Sequence, residues 1–187
     1  MKKLTETLNS FDKLSGSALD AFFARMSPLR IQKGHFLIKE NTTANFLYFI
    51  ESGMVRSFYF SNHKEITISF SLAGEFITSM SSFIKQEPGY ENIEALEDCD
   101  LYQIHHKDLQ DLFENNKDLE HIYRLLLEQY YIKLEEQLIF SRFKKAKERY
   151  LDLLKENPLI IQKASVSHIA SYLDMSLETL SRIRASI

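Results

Sequence analysis

Residues 165–184 read SVSHIASYLDMSLETLSRIR, and their spacing decides the C-terminal fold. Two helices that cross closely need a small residue at the crossing, apolar residues at fixed points to hold the angle, and a tight turn between them. Ala170 is the small residue, and Ile169, Leu173, Met175, Leu180 and Ile183 are the apolar set. Asp174 takes the turn, since Asp enters the left-handed backbone region more easily than most residues. Ser176 is placed to cap the second helix. The pattern predicts a helix-turn-helix, with an ordinary helical hairpin as the alternative.

On that reading the second helix turns Leu177, Glu178, Ser181 and Arg182 outward, with Leu180 and Ile183 behind them. These residue types suit the major groove of DNA. Arg182 can donate two hydrogen bonds to guanine O6 and N7, Glu178 can accept one from cytosine N4, and Leu177 can touch a thymine methyl. Ser167, Thr179 and the backbone at Ser176 are placed for phosphate. The plainer reading of Glu178 and Arg182 is a surface i,i+4 ion pair, worth ~0.3–0.5 kcal/mol; the two readings are compatible.

Charge points the same way. The chain carries a net −3, but residues 142–187 hold 9 Lys and Arg against 5 Asp and Glu, leaving 14 against 21 in residues 1–141. An acidic body with a basic end fits a DNA-contacting module joined to a separate sensor, although a solvated basic face would look the same.

Upstream the pattern changes twice. Apolar positions at helical spacing (Leu4, Leu8, Phe11, then Leu19, Phe22, Phe23 and Met26) predict one or two helices, with Ser17 as a cap before the second and Pro28 beyond its end. From Leu29 to His106, glycines at 34, 53, 74 and 89 punctuate short runs of β-formers: 46–50, 55–60, 66–70 and 92–96. Ile66, Ile68 and Phe70 alternate with Thr67 and Ser69, the period of a half-buried strand. Many short strands with turn material between them predict an antiparallel roll or jelly roll.

Residues 107–141 contain neither Gly nor Pro and read as one long helix. Leu127, Tyr131, Leu134 and Leu138 recur along one line, with Leu119, Tyr123, Leu126 and Tyr130 along the next. So wide an apolar band must meet two surfaces. One is the β domain; the seven-residue spacing suits a twin helix as the other, so a dimer interface through Leu127, Tyr131, Leu134 and Leu138 is expected. The alternative is a monomer in which the helix is simply core. A Lys-rich helix over 143–156 and the run Leu159-Ile160-Ile161 lead into the final motif.

Other chemistries are poorly served. The start, Met1-Lys2-Lys3-Leu4, is followed by no apolar run of the kind a signal peptide needs, and no stretch is long enough to cross a bilayer, so a cytoplasmic location and no membrane partner are expected. A single cysteine, Cys99, rules out a disulfide framework within the chain and a Cys-rich metal site. Its neighbours Asp98 and Asp100 raise its pKa and favour an inert thiol. The six histidines (His35, His63, His105, His106, His121 and His168) make no i,i+2 metal pattern; a lone haem ligand would leave no spacing signal. No metal, no cofactor and no catalytic group are expected.

Over nearly its whole length the chain resembles the Crp/Fnr family of transcription regulators. Phe46-Leu47-Tyr48-Phe49-Ile50-Glu51-Ser52-Gly53 and Ala73-Gly74-Glu75-Phe76 are similar to that family's β-roll signatures. Glu148-Arg149-Tyr150, Ile169–Leu173 and Glu178–Ile183 are similar to its C-terminal ones. The resemblance implies a homodimer on a two-fold-related DNA site, with an effector in a cyclic-nucleotide-binding-like roll altering the DNA-binding heads. The effector site it implies lies near Gly74, Glu75, Phe76, Tyr90, Glu91 and Asn92.

Departures from the family pattern matter. Cyclic-nucleotide members hold the phosphate with an Arg-Ser or Arg-Thr pair, and the matching stretch here is Pro88-Gly89-Tyr90-Glu91-Asn92. A carboxylate there repels a phosphate, so cyclic AMP is not the expected effector; another small molecule, or none, is. Asp174 replaces the usual turn glycine, and Leu177 stands where Arg or Pro is common. The sequence ends at Ile187, before the wing strands of other members. The expected class is therefore α+β: an N-terminal helical segment (1–28), a β-roll sensor (29–106), a dimerisation helix (107–141) and a helix-turn-helix domain (142–187) with a reduced or absent wing. The competing view is a ligand-binding or protein-interaction module without DNA function.

Overall fold

The computed structural model describes residues 1–187, apart from the side chain of Ser141. Two amphipathic helices, α1 (Lys2–Phe11) and α2 (Gly16–Arg25), open the chain. Leu4 and Leu8 of the first and Ala18 and Phe22 of the second are buried. The N-cap of α2 is Ser15 rather than the expected Ser17: its hydroxyl accepts from the backbone N–H of Ala18, three residues on, and Ser17 already lies inside the helix.

The roll is built from β1 (Ser27–Ile31), β2 (Phe36–Ile38), β3 (Phe46–Ser52), β4 (Met54–Ser61), β5 (Lys64–Leu72), β6 (Phe76–Ile77), β7 (Asn92–Ala95) and β8 (Cys99–His105). They pair antiparallel in two four-stranded sheets, ordered β1-β8-β3-β6 and β2-β7-β4-β5. A short helix, α3 (Met80–Lys85), sits between β6 and β7. Two turns show why the strands stop where they do. Asn62 and His63 both take positive φ, the backbone a two-residue hairpin requires, and they join β4 to β5. Gly53 joins β3 to β4 at φ +105°, where an added Cβ would come within 2.5 Å of the Cys99 sulfur. This packing buries Cys99, and burial pushes its thiol pKa up, with the carboxylates of Glu97, Asp100 and Asp98 adding to the effect.

The alternation at 66–70 does not survive as half-burial. Phe70 is buried as expected, but so is Thr67. The strand shifts register between Ser57 and Phe58 of its partner, and its outer face is covered by the C-terminal domain.

The run 107–141 is two helices, not one. α4 (His106–Asn115) lies on the roll with Leu109 and Leu112 buried, and α5 (Lys117–Phe143) departs from it. Asn116 breaks the run at φ −140°, ψ 90°. Asn is a weak helix former whose side chain competes for backbone groups. Here the Asn115 and Asn116 amides donate to the carbonyls of Asp111 and Leu112 and tie off the end of α4. The C-terminal part comprises α6 (Ala146–Glu156), α7 (Pro158–Lys163, with proline in its first turn), α8 (Val166–Tyr172) and α9 (Leu177–Ala185).

The main core draws on both sheets, including Ile38, Val55, Ile93 and Ala95 of the second, and joins them to α1, α2, α4 and the start of α5. A second core holds the C-terminal helices together through Tyr150, Leu153, Ile160, Ile169, Leu173, Leu180 and Ile183, and it extends onto Met54 and Phe70 of the roll.

Candidate nucleic-acid interface and effector site

The helix pair α8–α9 forms as its spacing requires. Ile169, Ala170, Leu173, Leu180 and Ile183 are buried, and Met175 is half-buried beside them. Asp174 takes the left-handed conformation at φ 48°. The Ser165 hydroxyl accepts from His168 N–H and the Ser176 hydroxyl from Thr179 N–H, so each helix carries its own cap. Arg149, from α6, braces the turn by donating to the carbonyls of Leu173 and Asp174 at 3.0 and 3.1 Å.

Leu177, Glu178, Ser181 and Arg182 are exposed along one side of α9. Glu178 and Arg182 do not form an ion pair. Arg182 instead donates to the Glu178 carbonyl at 3.4 Å and the Thr179 hydroxyl at 3.3 Å, which lays its guanidinium along the helix. The helix N-terminus explains Glu178: its own backbone N–H and the Ser176 hydroxyl hold its carboxyl below the usual range, with Arg182 contributing less. Ser167 is exposed and shares a hydrogen bond with the Ser165 hydroxyl.

The head is fastened to the roll at the edge strand β5. Thr67 N–H donates to the Ser171 hydroxyl at 2.9 Å, and that hydroxyl donates to the Glu65 carbonyl at 3.1 Å. Ser171 thus continues the ladder of an otherwise unpaired strand edge. The Tyr172 ring meets Phe70 edge-on, and Gln137 of α5 donates to the Tyr172 hydroxyl. Beneath this contact Arg56 is buried among Glu65, Glu94 and the Thr67 hydroxyl, with its guanidinium 4.1 Å from the Phe58 ring centre. A buried guanidinium is tolerable only with such pairing.

The expected effector residues fall in three places. Gly74 and Glu75 make a turn under α1 and α5: Thr7 donates to the Gly74 carbonyl, and Glu75 accepts from Leu72 N–H and from Lys133 of α5. Phe76 packs on Phe49, on the side of the sheet that faces α1, α2 and α5. Asn92 is buried and accepts from Glu40 N–H. Tyr90 and Glu91 stand together at another point, with residues the sequence did not single out. The Tyr59 and Tyr90 rings meet at 89° with centres 6.3 Å apart. The Glu91 carboxyl lies beside the hydroxyls of Ser79 and Ser57, and burial pushes its pKa up more strongly than those hydroxyls lower it. The Ser57 hydroxyl is close enough for that effect yet outside hydrogen-bond geometry with any group. On α5, burial raises the Tyr130 pKa, and the charges of Glu91 and Tyr90 raise it further.

Residues 28–116 match the family described as the cyclic nucleotide-binding domain. The c-di-GMP responsive global regulator CLP of Xanthomonas campestris superposes at a TM-score of 0.72 with 20% identity, over 92% of this chain and 91% of that one. A putative transcriptional regulator of the Crp/Fnr family from Eubacterium rectale gives 0.73 with 18% identity, over 92% and 83%. The catabolite activator protein of Thermus thermophilus gives 0.61 with 21% identity, over 96% and 85%. Residues 28–116 are thus similar to a cyclic nucleotide-binding domain, and the chain shares its fold with these regulators. No curated protein matches it.

Within residues 28–116, sequence reading missed Ser57, Ser79 and Tyr59. The serines leave no signal, because a buried hydroxyl and a surface one look alike in a strand. Tyr130 lies on the helical band that its spacing predicts, and how close α5 brings it to the roll depends on packing that its spacing does not show. Ser171 and Arg149 were visible only as members of family-like stretches. Among the described residues no group of three or more His, Cys, Asp or Glu side chains is placed to hold a metal ion, and no helix is long and apolar enough to cross a membrane.

Proposed function

We propose that the chain is a non-catalytic transcription regulator of Crp/Fnr type that binds two-fold-related duplex DNA as a homodimer. The carrying observation is α9: its buried side is occupied by Leu180 and Ile183, while Leu177, Glu178, Ser181 and Arg182 stay exposed together. In this reading Arg182 leaves its resting contact on Thr179 and donates to a guanine edge. Glu178, Leu177 and Ser181 read adjacent bases, and Ser167, Thr179 and the backbone at Ser176 hold phosphates. Pairing of two chains along α5, through Leu127, Tyr131, Leu134 and Leu138, sets the two heads side by side for successive half-sites. Residues 1–28 then give N-terminal support, 29–106 sensing, the later turns of α5 pairing and 142–187 DNA reading, while α4 and the start of α5 pack on the roll. The sensing part takes a small effector near Glu75, Tyr90 and Glu91, on the side of the roll that α5 covers. An effector that binds the two dimer arrangements unequally shifts DNA affinity by that difference.

A gel shift on DNA selected from random fragments tests the reading. Affinity should fall steeply with salt, as phosphate contacts release counterions. Arg182→Ala should lose roughly 1–3 kcal/mol of discrimination at one base pair per half-site. Salt-insensitive or absent binding would favour a protein-interaction module instead, and an unchanged base preference in Arg182→Ala would remove that residue from the code.

A further inference from the structure

His168 is the only histidine in residues 142–187, and it lies in α8, the helix that docks on β5. Ser171, which bonds to that strand at Thr67 and Glu65, follows it by three residues. Residues three apart share a helix face, so the His168 ring meets the same strand. Its Nε2 lies 4.0 Å from Glu65 Oε2. Glu65 is held in turn by Arg56, whose guanidinium also binds Glu94. The Arg56 side chain is 2% exposed and that of His168 23%.

The other ring nitrogen has no such neighbour. His168 Nδ1 is buried and has no hydrogen-bond partner among the described residues. A neutral imidazole has one N–H and one lone pair, and the N–H belongs on the side that faces a carboxylate. The neutral ring therefore points its N–H toward Glu65 and keeps a bare lone pair on Nδ1. A second proton has to go on Nδ1, where it becomes a charged donor shut away from water with nothing to accept it. The surrounding charges do not make good that loss. Glu94 of β7 and Glu65 of β5 favour a charged ring, but both are committed to Arg56 of β4, and that fixed cation opposes it. α8 itself brings no charged residue. Burial weighs most and Arg56 next, and together they push the His168 pKa down.

We propose that His168 is a pH-sensitive latch between the C-terminal head and the roll: its neutral ring belongs to the docked arrangement, and uptake of one proton loosens α8 from β5. Away from the roll the ring is open to water and takes up its proton at the ordinary histidine value of 6.5. Docking lowers that affinity. Docking is therefore at full strength above the ordinary value, weakens as the pH falls through it, and reaches its floor once the docked ring is itself protonated. The hydroxyl, ring and ion-pair ties beside it, from Ser171, Tyr172 and Lys163, contain no histidine. The latch is built into the chain whether or not α9 reads DNA, so it does not rest on the proposed function.

Hydrogen exchange of the full chain, compared between about pH 8 and about pH 5, is the test. The Thr67 amide reports docking, because its acceptor is the Ser171 hydroxyl. Amides of β3, an interior strand of the first sheet, report the fold as a whole. After correction for the intrinsic rate at each pH, Thr67 protection should fall several-fold toward acid, with a ceiling of roughly tenfold per pH unit for one proton, while β3 protection holds. His168→Gln keeps a neutral polar side chain and removes the proton site, so its Thr67 protection should change by less than about twofold over the same range. The wild-type ring, followed by NMR, should titrate below 6.5. Thr67 protection that is flat with pH, that falls only in step with β3, or that falls equally in His168→Gln would overturn the proposal. So would a His168 ring that titrates at or above the ordinary value, a measurement that needs no variant and decides the matter even if His168→Gln does not fold.

Discussion

The two ends of α5 are similar in sequence and opposite in surroundings. Near its start, Leu119 is 4% exposed and Ile122 is 5% exposed, packed into the main core with α1 and α4. In its second half Tyr131 is 66% exposed, Leu138 56% and Phe143 81%, with Ile132, Leu134, Ile139 and Phe140 also open. At ~25 cal/mol per Å² of apolar surface, leaving so many large side chains in water forfeits several kcal/mol. Contiguous exposed apolar surface on this scale marks an interaction site. The comparison separates two jobs within one helix. Its first turns complete the fold of a single chain, and its later turns do not, which is what pairing with a second copy requires.

The largest expected effect comes from attacking the later turns. Leu134→Lys together with Leu138→Lys should leave the single chain folded, since both side chains are already in water, yet abolish pairing. DNA affinity should then fall roughly 10²–10⁴-fold, the advantage of linking two heads. Sedimentation and gel shift report the two quantities, and a double variant that stays dimeric would move the seam elsewhere. The matching change in the first turns should do the opposite. Leu119→Ala should cost about 2–5 kcal/mol of stability in urea unfolding through the cavity it leaves, with no direct effect on pairing at protein concentrations where the chain remains folded. A loss of less than about 1 kcal/mol would mean that this end is looser than its burial implies.

A smaller change asks whether the head follows α5 or the roll. Ser171→Ala removes the acceptor of Thr67 N–H and the donor to Glu65. It should cost roughly 0.5–1.5 kcal/mol, and hydrogen exchange at the Thr67 amide should quicken. If exchange there is unchanged, the head is held by its other contacts, among them Lys163 on Glu97, the core onto Met54 and Tyr172 on Phe70.

Much of this was readable in the chain because the signals are local. Ala170, Asp174 and Ser176 do in the structure what their types and spacing imply, since a crossing, a left-handed turn and a cap are each settled within a few residues. The roll was readable from its glycines and short β-forming runs. The misreadings share one cause. Asn115-Asn116 stood in plain view, but an apolar band running past them looked continuous, and only packing of α4 on the roll makes the break worthwhile. Thr67 looked like the solvent side of a strand because nothing in a strand's own sequence announces that another domain will cover it. Phe76 and Asn92 were grouped with Glu91 through the family resemblance, whereas in the structure Phe76 packs on Phe49 and Asn92 accepts from Glu40 N–H.

By itself the sequence determined the kinds of element and their order, together with the spacing of the two C-terminal helices, because period, caps and turns act over a few residues. Only the tertiary structure decided what Glu91 meets, which half of α5 is left uncovered, and how the head grips β5. Those outcomes depend on contacts between residues far apart in the chain, whose geometry is set when sheets and helices pack together and not before.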